Sequence, residues 1–347
     1  LRFPLVRGAG AGLFLDPDIE VFAPLDELGR LAREHTVVLI PHTLRPIPAD
    51  GRKPTPAVLA ASGVYNLGFI AVGPEAHSFL EWCGEHLRRD CLMAPEEGFF
   101  VDQRLLDCLP ACFTRHIVRD PAYDVAYWNL HERRVTWTGE RYEVGGAPLR
   151  FFHFSGFNPR TPHLLSKHQG KTPRILLSEE PDLAGLCREY AERLLAAGYE
   201  ECASIPYGFA NTAKGVPFDR RMRRLYREGL LAAERGAGPE PPSPFDAAEP
   251  EAFIEWLNSP ADGSSGPTRY LRRLYDERVD LRVVFPDLSG PDLPRYVDWV
   301  RMGGRAEPPV PAIFRPDVPR RESRAVDRAP GASEMSDYGV NIAGYVR

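Results

Sequence analysis

No two cysteines in this chain stand at a metal-ligating or redox spacing. The six present (Cys83, Cys91, Cys108, Cys112, Cys187, Cys202) form no Cys-x-x-Cys pair, which argues against a zinc module or a dithiol active site. They lie in apolar, helix-like segments and are expected to be free core thiols of a reducing, cytoplasmic compartment. No run approaches the roughly 18 apolar residues of a membrane helix, and no secretory leader is read, so no transmembrane segment is expected. Positive charge is also short: 43 Lys and Arg against 48 Asp and Glu give a net charge of −5. Such a balance supplies no broad basic field for nucleic acid. The one dense basic run, Arg220-Arg221-Met222-Arg223-Arg224, has helical spacing and reads as a solvated face. There is no internal repeat.

What is present is ordinary for a globular chain: 347 residues, 43% of them hydrophobic and 26% charged. That length suits two domains. The chain opens on Leu1 and closes on Arg347 just after a strand-like run at residues 338–346, so it reads as an interior piece of a longer polypeptide.

One stretch organises the rest. Leu13-Phe14-Leu15-Asp16-Pro17-Asp18-Ile19 is an apolar run that stops at two carboxylates. The run reads as a buried strand, and the proline marks its end. Ligands of open α/β folds bind outside strand ends, and two adjacent carboxylates there call for a cation or a proton. A hard divalent ion shared with a diphosphate fits. Paired Asp around Pro is equally an ordinary turn or cap device.

Strands are read at residues 36–40, 64–72, 116–118, 134–137, 142–144 and 149–154, and helices at 24–34, 75–89 and 99–109. Asn66 and Gly68 fall inside the second of these strands, where a glycine marks close approach of a ligand or backbone, or a bulge. This pattern predicts a mixed sheet with helices on its faces over residues 1–177. Helical patterns at 179–198, 218–234, 249–257, 268–278 and 291–301 make residues 178–304 a helical region. Residues 305–335 read as a proline-rich, flexible connector, and residues 336–347 as the first strand of a following domain.

Four features occur in the order of a known set: Asp16-Pro17-Asp18, Asn66-Leu67-Gly68, Asp102-Gln103 and His153-Phe154-Ser155-Gly156. Together they resemble the latter part of a glycosyltransferase-A (GT-A) sugar-nucleotide transferase of the glycogenin and lipopolysaccharide galactosyltransferase type. The resemblance implies a partial GT-A sheet and metal ligation by Asp16, Asp18 and His153. It further implies a sugar-facing role for Asn66, Gly68, Asp102 and Gln103, with Asp102 and Gln103 catalytic and Gly156 in the donor turn. Where the family continues to Lys-Pro-Trp, this chain has Pro159-Arg160-Thr161, so Arg160 is the candidate substitute for the lysine that meets the diphosphate. Arg104 stands where a further acid is common.

The implied activity is metal-dependent, retaining transfer of a hexose from a nucleotide sugar, a UDP-sugar first, to a glycan or lipid-linked acceptor. Two carboxylates and one imidazole suit Mn²⁺ better than Mg²⁺, since imidazole is the softer ligand. The run at 338–345 resembles the opening strand and loop of a glycosyltransferase-B domain. Two other readings stand beside this one: a non-catalytic glycan-binding or scaffolding module on a degenerate GT-A core, and a haloacid-dehalogenase-like phosphatase with Asp16 as nucleophile. Each signal also has a structural reading. Asp102-Gln103 alone is an exposed acidic helix start, and His153 among Phe151, Phe152 and Phe154 is a half-buried strand histidine.

Overall fold

The computed structural model describes residues 8–261, 266–302 and 310–316, and the chain divides into two compact units, Leu1–Gly208 and Phe209–Arg347. The first is mixed α/β. In chain order its strands are β1 (Gly12–Leu15), β2 (Ile19–Val21), β3 (Val37–Leu39), β4 (Phe69–Val72), β5 (Leu92–Ala94), β6 (Phe99–Val101), β7 (Arg115–Ile117), β8 (Val135–Trp137), β9 (Tyr142–Val144), β10 (Ala147–Pro148) and β11 (Phe151–His153). The main sheet runs β1-β4-β3-β7, with smaller sheets β10-β9-β8, β11-β2 and β5-β6. In the main sheet β4 is antiparallel to both neighbours, and β3 is parallel to β7.

The two central strands carry no polar residue because both faces are covered. Side chains alternate across a strand. Accordingly Val38, Phe69 and Ala71 pack with Leu28 and Leu31 of the helix Asp26–Glu34, while Val37, Leu39, Ile70 and Val72 pack on the opposite face with Phe79 of the helix His77–Asp90.

Several boundaries differ from the sequence reading. The strand expected over 64–72 is confined to Phe69–Val72, because Asn66 and Gly68 commit their polar groups to a turn, as described below. Residues 99–109 are not one helix: β6 pairs with β5, and a short 3-10 turn, Arg104–Cys108, follows. The first unit also runs past the expected limit at 177. The helix Pro181–Ala196 places Leu183, Leu186, Cys187 and Tyr190 in one buried cluster with Phe152 and Phe154, and Tyr190 stacks on Phe154 with centroids 3.7 Å apart.

The second unit is helical. Arg220–Glu234, Ala252–Asn258, Arg269–Glu277, Val279–Val284 and Asp292–Arg301 surround a core that includes Met222, Phe253, Leu257, Tyr270, Leu274, Tyr296 and Val300. The basic run of 220–224 is not simply a solvated face, since Met222 and Arg224 point inward and Arg221 pairs with Glu277 at 2.7 Å. The expected connector is likewise not free at its start: Val310 and Phe314 belong to this core, with Phe314 stacked on Tyr270 at 3.9 Å. The rest of the connector and the strand expected at 336–347 lie outside the described residues.

The expectation of core thiols holds for Cys187 alone, with Cys83 half-buried and Cys91, Cys108, Cys112 and Cys202 exposed; all six are free. Among the described residues no helix is long and apolar enough to cross a membrane.

Candidate metal centre

Asp16, Asp18 and His153 converge. One ligand-capable atom from each lies within 4.8 Å of the others, with His153 Nε2 at 3.2 Å from Asp18 Oδ1 and 3.8 Å from Asp16 Oδ2. Strand register produces this. β1 ends at Leu15 opposite Phe69, and the Asp16 N–H donates to the Gly68 carbonyl at 2.8 Å. A turn at Pro17-Asp18, closed by Ile19 N–H on the Asp16 carbonyl, leads into β2. β2 then pairs antiparallel with β11 so that Ile19 faces His153, and the Phe154 N–H donates to the Asp18 carbonyl. Three residues distant in sequence thus share one strand junction.

Gly68 makes the approach possible. A Cβ there would lie 2.3 Å from His153 Cε1 and 2.6 Å from Asn66 Oδ1, closer than any side chain tolerates, so the histidine ring occupies the space a larger residue would fill.

Behind the imidazole runs a chain of amides whose orientation is set by two backbone donors. Leu67 N–H donates to Gln103 Oε1 at 3.1 Å and Gly68 N–H to Asn66 Oδ1 at 3.0 Å. Gln103 Nε2 therefore donates to the Ser62 carbonyl, and Asn66 Nδ2 to Gln103 Oε1. Asn66 Oδ1, an acceptor, stands 3.2 Å from His153 Nδ1, so Nδ1 carries the proton and Nε2 faces the two carboxylates. Asn66 and Gln103 are buried and bond to each other and to backbone. The sugar-facing positions expected for them are interior positions supporting His153.

The electrostatics couple the three groups. Burial disfavours the His153 imidazolium, but the carboxylates of Asp124 and Asp18 more than reverse this and lift its pKa to about 9. Burial also pushes the Asp16 carboxyl up; His153 opposes that, while Asp18, Asp102 and Asp124 add to it. Asp18 is held below the usual range despite its own burial, through its hydrogen bond and charge pairing with His153. Without a cation the imidazolium is the counter-charge to this acid group. A divalent ion would replace it, since neutral imidazole and carboxylate oxygens are suitable donors.

Asp102 is half-buried, its carboxyl raised by burial, and its charge is felt at Asp16. The residue before it, Val101, has φ +44°, a conformation unfavourable for a β-branched side chain and of the kind that gathers at functional sites. Gly156, at φ +71°, allows the ring of His168 to come close: a Cβ would meet its Cδ2 at 2.6 Å. His168 in turn contributes to holding Asp18 down. Arg160 forms an exposed two-pronged pair with Glu200.

Sequence reasoning missed Asp124, whose carboxylate is fully buried with Oδ1 3.7 Å from His153 Nδ1. It also missed His42 and Trp128, whose rings pack edge to face, Trp128 also meeting His153. A signal was present: Asp124 sits in the apolar run Ala122-Tyr123-Asp124-Val125-Ala126-Tyr127-Trp128, and acids are almost never fully buried unpaired.

No family model matches the chain, and no solved structure matches it. Two uncharacterized proteins of Bacillus subtilis (strain 168) are similar to part of it. YfnF is 34% identical over 99 residues, which are 27% of this chain and 33% of that protein. YfnD is 31% identical over 106 residues, 28% and 32% of the respective lengths. The chain thus spans about a third of the length of these curated relatives.

Proposed function

We propose that the first unit is a metal-dependent glycosyltransferase of GT-A type, moving a hexose with retention from a nucleotide-sugar donor, a UDP-sugar first, to a glycan or lipid-linked acceptor. The observation that supports it is the meeting of Asp16, Asp18 and His153 at one strand junction. Mn²⁺, or Mg²⁺, would be held by these three residues and would supply charge neutralisation for a departing diphosphate. A bound cation would displace the Nε2 proton of His153, leaving Nε2 as the ligand because the other nitrogen is bonded inward. Asp102, which follows β6, would bond a sugar hydroxyl. Gln103 supports the site from behind, and His168 beside Gly156 offers a donor near the carboxylates where Arg160 does not.

The test is calorimetry of UDP with and without Mn²⁺, followed by product analysis with a panel of UDP-hexoses. Manganese-dependent nucleotide binding and hexose transfer, both lost in Asp16→Ala, are expected. Glycan binding indifferent to metal would favour the non-catalytic module instead, and phosphate release abolished by Asp16→Asn would favour the phosphatase.

A further inference from the structure

Asp124 is fully buried, and neither of its carboxylate oxygens has a hydrogen-bond partner. An isolated buried carboxylate is costly. The nearby guanidinium of Arg133 does not serve it directly, because Arg133 Nη1 donates to the backbone carbonyls of Tyr123 and Asp124. The cationic partner its carboxylate does face is His153, across 3.7 Å from Oδ1 to Nδ1. The backbone holds it there firmly. Asp124 adopts φ +52°, its carbonyl accepts from Asn129 Nδ2 at 2.9 Å, and the next residue, Val125, bonds on both sides to the β11 segment, through Phe151 O and His153 N–H.

We propose that Asp124 is a positioning residue for metal binding: its carboxylate, together with the Asn66 amide oxygen, keeps the His153 Nδ1–H turned inward, so that Nε2 is presented to a divalent cation between Asp16 and Asp18. A carboxylate behind a ligating imidazole fixes the tautomer and raises the basicity of the ligating nitrogen, and its loss typically costs ten- to a hundredfold in metal affinity. The gap of 3.7 Å exceeds hydrogen-bond length, so Asp124 acts on the ring through its charge. Asn66 alone offers a neutral acceptor, and Asp124 adds the negative charge. This role rests on the metal site of the proposed transferase but concerns cation binding alone.

The test uses the full chain labelled with ¹⁵N-histidine and titrated with Zn²⁺ alone, a diamagnetic probe. Long-range ¹H–¹⁵N spectra identify which His153 nitrogen carries the proton and which the metal, and calorimetry gives the affinity. The expected result is Nδ1–H with Nε2 bound to zinc, and a Zn²⁺ affinity roughly ten- to a hundredfold weaker in Asp124→Asn, with an altered Nδ1–H shift and a circular dichroism spectrum matching the wild type. Asp124→Ser, which leaves room for a water, is the second variant should the amide variant fail to fold. Coordination through Nδ1, unchanged Zn²⁺ affinity in the folded variants, or no zinc uptake by the wild type would each overturn the proposal. Intact spectra and affinities in a protein that transfers no sugar would sink the transferase reading and leave the role of Asp124 standing. Unchanged affinity in Asp124→Asn in an active transferase would do the reverse.

Discussion

His153 Nε2 lies 3.2 Å from Asp18 Oδ1, and Asp18 immediately precedes β2, whose first residue Ile19 stands opposite His153. The contact is therefore a product of strand register rather than of a flexible loop. Removing either partner should affect the cation site without disturbing the sheet. In Asp18→Asn, Mn²⁺ affinity measured by calorimetry is expected to fall by more than the roughly ten- to hundredfold typical of losing a partner behind a ligand, with circular dichroism unchanged. Retained affinity would mean that the two acids do not ligate.

Asp16 is expected to behave differently when metal is absent. Its carboxyl is raised by burial and by neighbouring acids, against the pull of His153, so its charge opposes folding at neutral pH in the metal-free protein. Asp16→Asn should therefore raise the melting temperature in EDTA while abolishing the Mn²⁺-induced increase expected of the wild type. Melting curves with and without Mn²⁺ test both halves. A fall in the EDTA value would contradict the electrostatic account.

The pH dependence of the metal-free protein follows from His153. Its pKa is about 9 folded against 6.5 for an ordinary imidazole, the acid partners outweighing burial. Stability from this group is fully present below pH 6.5 and is lost as pH rises through about 9. The loss amounts to roughly 3 kcal/mol, and it describes the same pairing that depresses Asp18, so the two are not additive. Urea unfolding in EDTA at about pH 6 and about pH 10 should show this decline, and His153→Gln should flatten it.

Gly68 can be tested against another glycine in the same unit. Gly68→Ala would place its Cβ 2.3 Å from the His153 ring, and overpacking of this kind costs about 1–3 kcal/mol. It should also displace Nε2 and weaken Mn²⁺ binding. Gly84 lies on the helix His77–Asp90, where an added methyl would meet nothing within 4 Å; Gly84→Ala should stabilise by roughly 0.5–1 kcal/mol and leave metal affinity alone. Equal effects from the two variants would remove any special role for Gly68.

Much of the site is legible in the sequence because strand ends and charged residues are locally marked. An apolar run broken by Asp-Pro-Asp locates the junction, and the histidine at the end of a Phe-rich strand is singled out by its place in the set of motifs that the chain resembles. The roles of Asn66 and Gln103 cannot be read this way. Whether an amide faces a substrate or the interior depends on which backbone N–H groups it meets, here Leu67 and Gly68, and that is a matter of tertiary placement. Asp124 is silent for a related reason: nothing adjacent to it in sequence pairs with its carboxylate. The boundary expected near 177 rests on a change in composition at Pro162, which marks a loop rather than the end of a core. The stripe Leu183, Leu186, Cys187 and Tyr190 beyond it returns to the first core.

The second unit offers a test of where that unit ends. Proline and charge make residues 305–335 read as a free connector, yet Phe314 is 2% exposed and stacks on Tyr270 at an interplanar angle of 11°. Tyr270 is itself fixed, its hydroxyl donating to Asp219 Oδ2 at 2.7 Å, the residue that caps the helix Arg220–Glu234. Truncating Phe314 opens a cavity against this ring, and Phe→Ala changes in cores cost about 3–5 kcal/mol. Phe314→Ala should therefore destabilise the helical unit by that amount, read as a lower urea midpoint, while Mn²⁺ affinity at the first unit is unchanged. A midpoint within error of wild type would return these residues to the connector.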